Sequence, residues 1–304
     1  MLPRSGTFRL FRIVGIEVSL HWSWFIVAII EINNRRDSYS SLAWNAAEYA
    51  ALFGIVLLHE FGHALACRQV GGQANRIILW PLGGVAFVAP PQRPGATLWA
   101  IAAGPLVNLV LIPPALLLTM ASQWLGWGEG FPDLQHFLRA MVYINVGLLI
   151  FNLLPIYPLD GGQILRSLLW FGLGRTRSLK VATIIGFVGA GGLLAGAVFL
   201  GSIWPAFVAV FMLTNCWRAW KQSAILAQLD ALPRHPGYAC PSCNAAPPIG
   251  PFWLCPHCRN TFDTFVTGAV CPHCQSRFET TGCLYCQTSH PMNQWVLPPP
   301  FSQQ

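Results

Sequence analysis

The sequence predicts an all-α polytopic membrane protein with short β-hairpin elements and a small cysteine-rich region near its C-terminal end. Hydrophobic residues make up 54% of the 304 residues and charged residues only 10%, whereas soluble domains carry about 25% charged residues. Long apolar runs recur between Trp22 and Trp220, and several are long enough for the ~20 residues that a membrane-spanning helix needs. After residue 222 the composition changes, because all but two of the ten cysteines lie there together with many prolines.

The apolar runs predict about six transmembrane helices, near residues 20–33, 46–68, 97–121, 137–155, 179–200 and 202–220. Lysine and arginine concentrate on the cytoplasmic side of membrane proteins. With the N-terminus inside, the inner segments hold twelve of these residues, from Arg4 to Lys221, and the outer loops hold three. We therefore expect both termini in the cytoplasm, and we assign the net charge of +7 to this topology rather than to nucleic-acid binding.

Two stretches outside the spans have the pattern of β-structure. Residues 7–20 alternate apolar and polar side chains around Gly15, which predicts a short hairpin or strand at the membrane edge. In residues 76–88, two β-rich runs flank Pro81 and Gly83, which predicts a hairpin or re-entrant loop. A free strand edge there could pair with the backbone of an unwound polypeptide; the alternative is a hairpin that only plugs the cytoplasmic mouth.

The second predicted span contains the sequence His59-Glu60-Phe61-Gly62-His63. Residues four apart lie on one helix face, so both imidazoles can reach one zinc ion. Glu60 then lies beside the metal as a candidate base, where zinc lowers the pKa of a bound water to about 7. Ionisable groups inside a span are costly, by about 2.5–3.5 kcal/mol on translocon scales. The alternative is a pair of interfacial polar residues with a structural carboxylate.

A catalytic zinc needs a third protein ligand and an open position for water. The fourth span ends in a segment, residues 152–162, whose only carboxylate is Asp160, with two prolines before it and two glycines after it. The carboxylate can face inward or simply cap the following helix. Because the second and fourth spans run in the same direction, His63 and Asp160 are expected at similar depth, near the cytoplasmic face.

These motifs resemble those of the site-2 proteases, a family of zinc-dependent intramembrane proteases. The similarity lies in HEFGH at 59–63, NLLPIYPLDG at 152–161 and AAGPLVN at 102–108, and it covers roughly residues 7–220. The entry Gly15-Ile16 to Ser23 and the six-span plan look most like the branch that includes the sporulation protease acting on a pro-sigma factor.

The resemblance implies a zinc metalloendopeptidase that cuts other membrane proteins within or near their transmembrane segments. It implies His59, His63 and Asp160 as zinc ligands and Glu60 as general base. Asn152 and Asn108 are implied near the site, where their amides could stabilise an oxyanion or orient the substrate; either amide could instead bridge helices. It also implies a prokaryotic plasma membrane and, as substrate, a membrane-anchored transcription regulator.

The tail contains four CxxC pairs, and two such pairs complete one tetrahedral thiolate zinc site. Eight ligands therefore predict two structural zinc ions. Sequential pairing gives two zinc ribbons, over 240–258 and 271–286, and a crossed arrangement stays open. A disulfide framework is the alternative, which a reducing cytoplasm disfavours. The cysteines are Cys240, Cys243, Cys255, Cys258, Cys271, Cys274, Cys283 and Cys286.

The predicted organisation is a six-span, site-2-protease-like domain over 1–221, a linker over 222–239, a double zinc-ribbon region over 240–290 and a disordered tail over 291–304. Cys67 and Cys216 are expected to be small packing residues, and Gly192 and Gly196 to pack closely against a helix. The ribbons are expected to bind a protein or regulate access, because Arg234, Arg259 and Arg277 form only a weak basic patch. One competing function is a catalytically silent scaffold that recruits partners through its ribbons. Another is a zinc transporter, but this sequence has no series of metal sites across its spans, as a transporter would need.

Overall fold

The computed structural model describes residues 6–80 and 83–297. The chain divides into two compact units, one of residues 1–90 with 94–220 and one of 91–93 with 221–304. The first unit is mostly helical. Its helices are α1 (Ser23–Asn34), α2 (Leu42–Gln69), α3 (Pro94–Trp124), the short α4 (Trp127–Gly130), α5 (Pro132–Leu153) and α6 (Asp160–Phe199); α7 (Ile203–Ala231) begins in this unit and ends in the second.

Four helices in the described part of the chain are long and apolar enough to cross a membrane: α2, α3, α5 and α6. They include the predicted spans from the second to the fifth. The helix predicted at 20–33 is shorter, because residues 16–21 form a strand and α1 has only 12 residues, or about 18 Å of helix. The predicted span 202–220 lies within α7, which continues to Ala231.

The strands of the first unit form one mixed sheet, although the sequence predicted only separate hairpins. The strands are β1 (Thr7–Ile13), β2 (Ile16–His21), β3 (Gln73–Trp80) and β4 (Gly83–Ala89), in the order β1-β2-β3-β4. The hairpin turn at Val14 and Gly15 has positive φ at both residues, as a two-residue turn of type I′ requires. Pro81, predicted in the turn between β3 and β4, lies outside the described residues.

The contact between the two hairpins is a parallel pairing of β2 with β3. Parallel neighbours need a crossover connection, and here α1 and α2 supply it. The side chains of Ile16, Val18, Ile77 and Leu79 are fully buried and join the main hydrophobic core with residues of α2 and α3. This core fixes β3 and β4 beside the second half of α2.

Helix α6 is broken at Gly174, whose φ of 76° and ψ of 171° are not helical. Beyond the break, the close contacts are not at the predicted Gly192 and Gly196, where an added Cβ would meet nothing within 4 Å in the described chain. They are at Gly186, where an added Cβ would lie 2.7 Å from the Cys216 sulfur, and at Gly189, where it would lie 2.6 Å from Ile156. The expectation for the later glycines was therefore wrong, because the packed face of the helix lies about one turn earlier.

The second unit differs from the predicted boundaries at both ends. The linker predicted over 222–239 begins as the last turns of α7, since residues 223–231 are rich in Ala, Leu and other helix formers. The tail predicted from residue 291 is ordered to residue 297: Trp295 is buried, and its carbonyl accepts a hydrogen bond from the Ala239 amide at 2.8 Å. Residues 298–304, including the predicted proline-rich end, lie outside the described part.

Two small hairpins build this unit. One pairs β5 (Trp253–Leu254) with β6 (Thr261–Phe262), and the other pairs β7 (Thr280–Gly282) with β8 (Ser289–Pro291). Its aromatic core is small, centred on Phe265 against Trp253 and Trp295. A unit of this size has little apolar area to bury, so other interactions have to stabilise it.

Candidate metal centre

One face of α2 presents the two histidines of the HExxH sequence. His59 and His63 are one helical turn apart, and their Nε2 atoms lie 3.0 Å from each other. Both side chains are buried, at 5% and 6% exposed. Buried polar atoms normally have hydrogen-bond partners. Two imidazole nitrogens that face each other inside an apolar helix bundle therefore indicate a shared partner, such as a metal ion.

Asp160 completes a set of three converging ligand atoms. Its Oδ2 atom lies 3.0 Å from His59 Nε2 and 3.3 Å from His63 Nε2. Metal–ligand distances of about 2.0–2.2 Å in a tetrahedral zinc site place neighbouring ligand atoms roughly 3.3–3.6 Å apart, close to the distances here. The spacing and the His-His-Asp donor set therefore fit one zinc ion.

The position of Asp160 depends on an irregular segment between α5 and α6. Asp160 is the first residue of α6, and the two following glycines lie against the backbone of that segment. A Cβ on Gly161 would meet the Leu153 carbonyl at 2.3 Å, and one on Gly162 would meet the Tyr157 amide at 2.4 Å. Only glycine allows the first turn of α6 to fold back this closely, and this brings the carboxylate to the histidines.

Helix α3 supports the site through residues spaced four apart. The Ala100 carbonyl lies 2.9 Å from His63 Nδ1, and Asn108 Oδ1 lies 2.5 Å from His59 Nδ1. Between them, Gly104 leaves space for both rings, since a Cβ there would be 2.3 Å from His63 Nε2 and 2.7 Å from His59 Nε2. The hydrogen bond at each Nδ1 leaves each Nε2 directed at the shared position.

Glu60 points from α2 towards strand β4. It is 6% exposed, and its Oε2 atom accepts a hydrogen bond from the Ala86 amide at 2.8 Å. Gly84 approaches the same carboxylate so closely that a Cβ would lie 2.2 Å from Glu60 Cγ. β4 is the last strand of the sheet, and its Ala86 amide is directed at Glu60 of α2.

Comparison with known proteins agrees with this geometry. The profile of peptidase family M50 matches residues 47–133 and 130–196, which contain the HExxH helix, α3, α5 and Asp160. The chain belongs to peptidase family M50, the site-2 proteases.

Individual M50 relatives show how far the similarity extends. A zinc metalloprotease of Methanocaldococcus jannaschii is 35% identical over 179 residues, which are 59% of this chain and 50% of that protein. Stage IV sporulation protein FB of Bacillus subtilis is 36% identical over 115 residues, 36% of each chain. The matched part of the chain thus spans about half the length of the archaeal relative and about a third of the sporulation protein. The solved structure of a site-2 protease from Methanocaldococcus jannaschii has a TM-score of 0.51 and 29% identity, covering 70% of this chain and 95% of that one.

The two asparagines expected near the site of this M50 chain differ in their placement. Asn108 is fully buried and bonded to His59. Asn152 lies in the last turns of α5, half-buried, and among the described residues no hydrogen bond joins it to His59, His63 or Asp160. An oxyanion or substrate role for Asn152 stays a prediction.

Sequence reasoning missed Gly104 and Asn145 as site residues. Asn145 on α5 is 2% exposed and hydrogen-bonded to Asn108. The available signal was a lone amide inside an apolar span, where polar groups are rare and usually face a partner. For Gly104, its place four residues before Asn108 in AAGPLVN was the only signal.

The cysteines of the second unit form two clusters, and their pairing is nested. Cys240 and Cys243 meet Cys283 and Cys286, while Cys255 and Cys258 meet Cys271 and Cys274. The sequence left the pairing open, and the structure has the nested arrangement rather than the sequential one: the inner two CxxC pairs form a complete cluster in the loop between the outer two. Sulfur–sulfur distances of 3.6–3.7 Å within each cluster exceed the ~2.05 Å of a disulfide and suit thiolates on one zinc, given Zn–S distances of about 2.3 Å.

One thiol in each cluster is acidified. Hydrogen bonding with Cys243 lowers the pKa of Cys283 to about 5, while the pKa of Cys243 is raised by the same bond and by burial. Hydrogen bonds with Ser276 lower the pKa of Cys274 to about 6. A lowered pKa favours the thiolate, which is the form that binds zinc. The other two cysteines, Cys67 and Cys216, are fully buried in the first unit.

Proposed function

We propose that this chain is a zinc metalloendopeptidase that hydrolyses peptide bonds within or near the transmembrane segments of other membrane proteins. The observation that carries the proposal is the convergence of His59, His63 and Asp160, with Glu60 beside them, among helices long and apolar enough to span a bilayer. A transmembrane protein is the substrate class that such a site can reach, and a membrane-anchored transcription regulator is the candidate that the family resemblance favours.

His59, His63 and Asp160 would hold the catalytic zinc. When bound, zinc polarises the scissile carbonyl and supplies hydroxide at neutral pH by lowering the pKa of water to about 7. Glu60 accepts the proton of the attacking water and passes it to the leaving amine, the role of a general base and then a general acid. The two cysteine clusters would each hold a structural zinc ion, which stabilises a unit with so small a core.

The membrane topology that we propose has both termini on the cytoplasmic side. Strand β2, which precedes α1, pairs with β3, which follows α2. The chain therefore crosses the membrane with α1 and returns to the same side with α2. The excess of Lys and Arg in alternate segments supports placing that side in the cytoplasm. Six crossings, with α1 and α7 as the first and last, would place both termini on the cytoplasmic side of a prokaryotic plasma membrane.

Strand β4 is the element that we propose for holding the substrate. A peptide bond inside a helix is shielded, so a substrate helix has to unwind before hydrolysis. An extended segment pairing with the outer edge of β4 would bring its backbone next to Glu60, because the Ala86 amide already donates to that carboxylate.

Proline substitution tests this presentation. Val88→Pro removes an amide of the same edge, two residues from the Ala86 amide that is bonded to Glu60. It should reduce cleavage at least tenfold, with zinc content unchanged. The matched control is Leu10→Pro at the bulge of β1, the opposite edge of the sheet, where proline is tolerated. Equal cleavage by both variants and the native chain would rule out strand pairing at β4.

The enzymatic proposal itself is tested with the full chain in liposomes and a pool of synthetic single-span peptides. Mass spectrometry should find cuts inside apolar stretches with the native chain, none after zinc removal, and cuts again after zinc is restored. Glu60→Gln should lower the rate by about 10²–10⁴-fold. Glu48→Gln, which neutralises another buried carboxylate of α2, is the control and should still cut. A zinc-loaded native chain that cuts no peptide would favour the scaffold function.

A further inference from the structure

A chain of three buried polar side chains runs from the metal centre into the helix bundle. Asn108 on α3 faces His59, and Asn145 on α5 lies behind Asn108. Asn108 and Asn145 are 0% and 2% exposed. Burying a polar group without hydrogen-bond partners among apolar helices is strongly unfavourable. The hydrogen bonds of these two amides therefore have to offset the cost of burying them.

The hydrogen bonds of this chain can be directed in only one way. Asn145 Nδ2 lies 3.0 Å from the main-chain carbonyl of Asn108, and a carbonyl only accepts. The Asn145 amide nitrogen must therefore face that carbonyl, which turns Asn145 Oδ1 towards Asn108 Nδ2 at 2.6 Å. Asn108 then has its own oxygen directed at His59 Nδ1, 2.5 Å away.

The direction of these bonds fixes the tautomer of His59. An oxygen facing Nδ1 requires a proton on Nδ1, so the lone pair of the neutral ring lies on Nε2. Nε2 is the atom that converges with His63 and Asp160. Without Asn145, the Asn108 amide could rotate and present its NH₂ group to Nδ1, which favours the opposite tautomer with a proton on Nε2.

We propose that Asn145 is a positioning residue that, through Asn108, locks His59 in the tautomer able to bind the metal. This inference rests on the proposed zinc site, and it assigns to Asn108 an orienting role in place of the oxyanion or substrate contact expected from the sequence. The backbone carbonyl of Asn108 is the fixed end of the relay, and His59 is the end that it controls. Groups of this kind, behind a metal ligand, typically change metal affinity by 10–100-fold.

Zinc affinity of the full chain tests the proposal without any substrate. A chelator is titrated and the zinc bound per chain is measured; the chain His59→Ala identifies the zinc that belongs to the His-His-Asp cluster rather than to the two cysteine clusters. Asn145→Ala should weaken that zinc by about 10–100-fold. Asn108→Leu should do the same. Asn108→Asp, whose neutral acid keeps an oxygen facing His59 Nδ1 and a donor facing Asn145 Oδ1, should lose less than about tenfold.

A matched control exists on the same two helices. Ser122 on α3 and Gln135 on α5 form another buried hydrogen bond, at 2.6 Å, that does not touch the site. Gln135→Ala should leave zinc affinity unchanged. Native affinity in Asn145→Ala, an equal loss in Gln135→Ala, or equal losses in both Asn108 variants would each overturn the relay. Failure of the protease proposal would look different: the native chain would bind this zinc tightly, with the predicted variant effects, and cut no peptide.

Discussion

At the scale of single residues, the metal centre depends on the absence of a side chain as much as on its ligands. Gly104 lets α3 pass over the two imidazole rings, and Ala100 and Asn108 one turn on either side then hold those rings. Any side chain at position 104 would occupy the space where the Nε2 atoms converge.

Gly104→Ala should therefore disrupt the site without a large change in fold. The new methyl would lie 2.3 Å from His63 Nε2, so a ring has to move by about an ångström, and displacements of this size can lower a rate by about 100-fold. Zinc affinity and peptide cleavage measure the effect. Gly147→Ala on α5, where a Cβ meets nothing within 4 Å, should behave as native; native activity in Gly104→Ala would contradict the described packing.

The four principal site residues could be predicted because their chemistry is local in sequence. His59, Glu60 and His63 share one helix face, and Asp160 is the only carboxylate in a segment broken by proline and glycine. Asn145 could not be placed in the same way. Its contact with Asn108 depends on how α3 and α5 rotate about their axes, and no spacing within either helix determines that rotation.

At the scale of elements, α6 combines two functions in one run of sequence. Its first turn carries Asp160, and its second half, after Gly174, packs against Ile156 and Cys216 through Gly189 and Gly186. Hydropathy predicted the apolar run 179–200 but not the helix before it, because residues 160–178 contain three arginines and are not apolar enough to register as a span.

The backbone conformation at Gly174 predicts that residues other than glycine destabilise the fold at this position. A φ of 76° with ψ of 171° belongs to a region that is essentially restricted to glycine, and other residues there cost about 1–3 kcal/mol. Gly174→Ala should lower the free energy of unfolding in micelles by that amount. Gly172→Ala, two residues earlier in regular helix with no atom within 4 Å, should be neutral or stabilising by up to about 1 kcal/mol. Equal effects of the two substitutions would mean that the break is not required.

The sheet was also predictable only in part. Alternation predicted the strands around Gly15, and the β-rich runs at 76–88 predicted β3 and β4. The parallel pairing of β2 with β3 joins segments more than fifty residues apart, and neither hairpin contains a signal for the other.

At the scale of the whole molecule, the chain consists of a mostly helical unit with the M50 motifs and a separate cysteine-rich unit. The first contains one candidate metal cluster and the second contains two. The CxxC spacing was enough to predict eight ligands. It was not enough to predict their pairing, because sequential and nested arrangements use the same spacing and differ only in how the intervening loops close.

Paired substitutions distinguish the two arrangements by counting zinc. In the nested arrangement Cys240 and Cys286 share a cluster, so Cys240→Ser with Cys286→Ser should lose one zinc ion per chain in native mass spectrometry. Cys240→Ser with Cys255→Ser should lose two. Sequential pairing predicts the reverse for both double variants, and each serves as the control for the other.

The central claim is that Glu60 is the base of a protease acting on membrane proteins, and the most direct measurement compares cells carrying the native chain with cells carrying Glu60→Ala. The membrane and soluble proteomes are quantified, together with new N-termini. We predict that a membrane protein accumulates in the variant while its cytoplasmic fragment disappears, which also identifies the substrate. Identical proteomes, with both chains equally abundant and zinc-loaded under conditions in which the native chain cuts peptides in liposomes, would contradict the claim that this activity acts on membrane proteins in the cell.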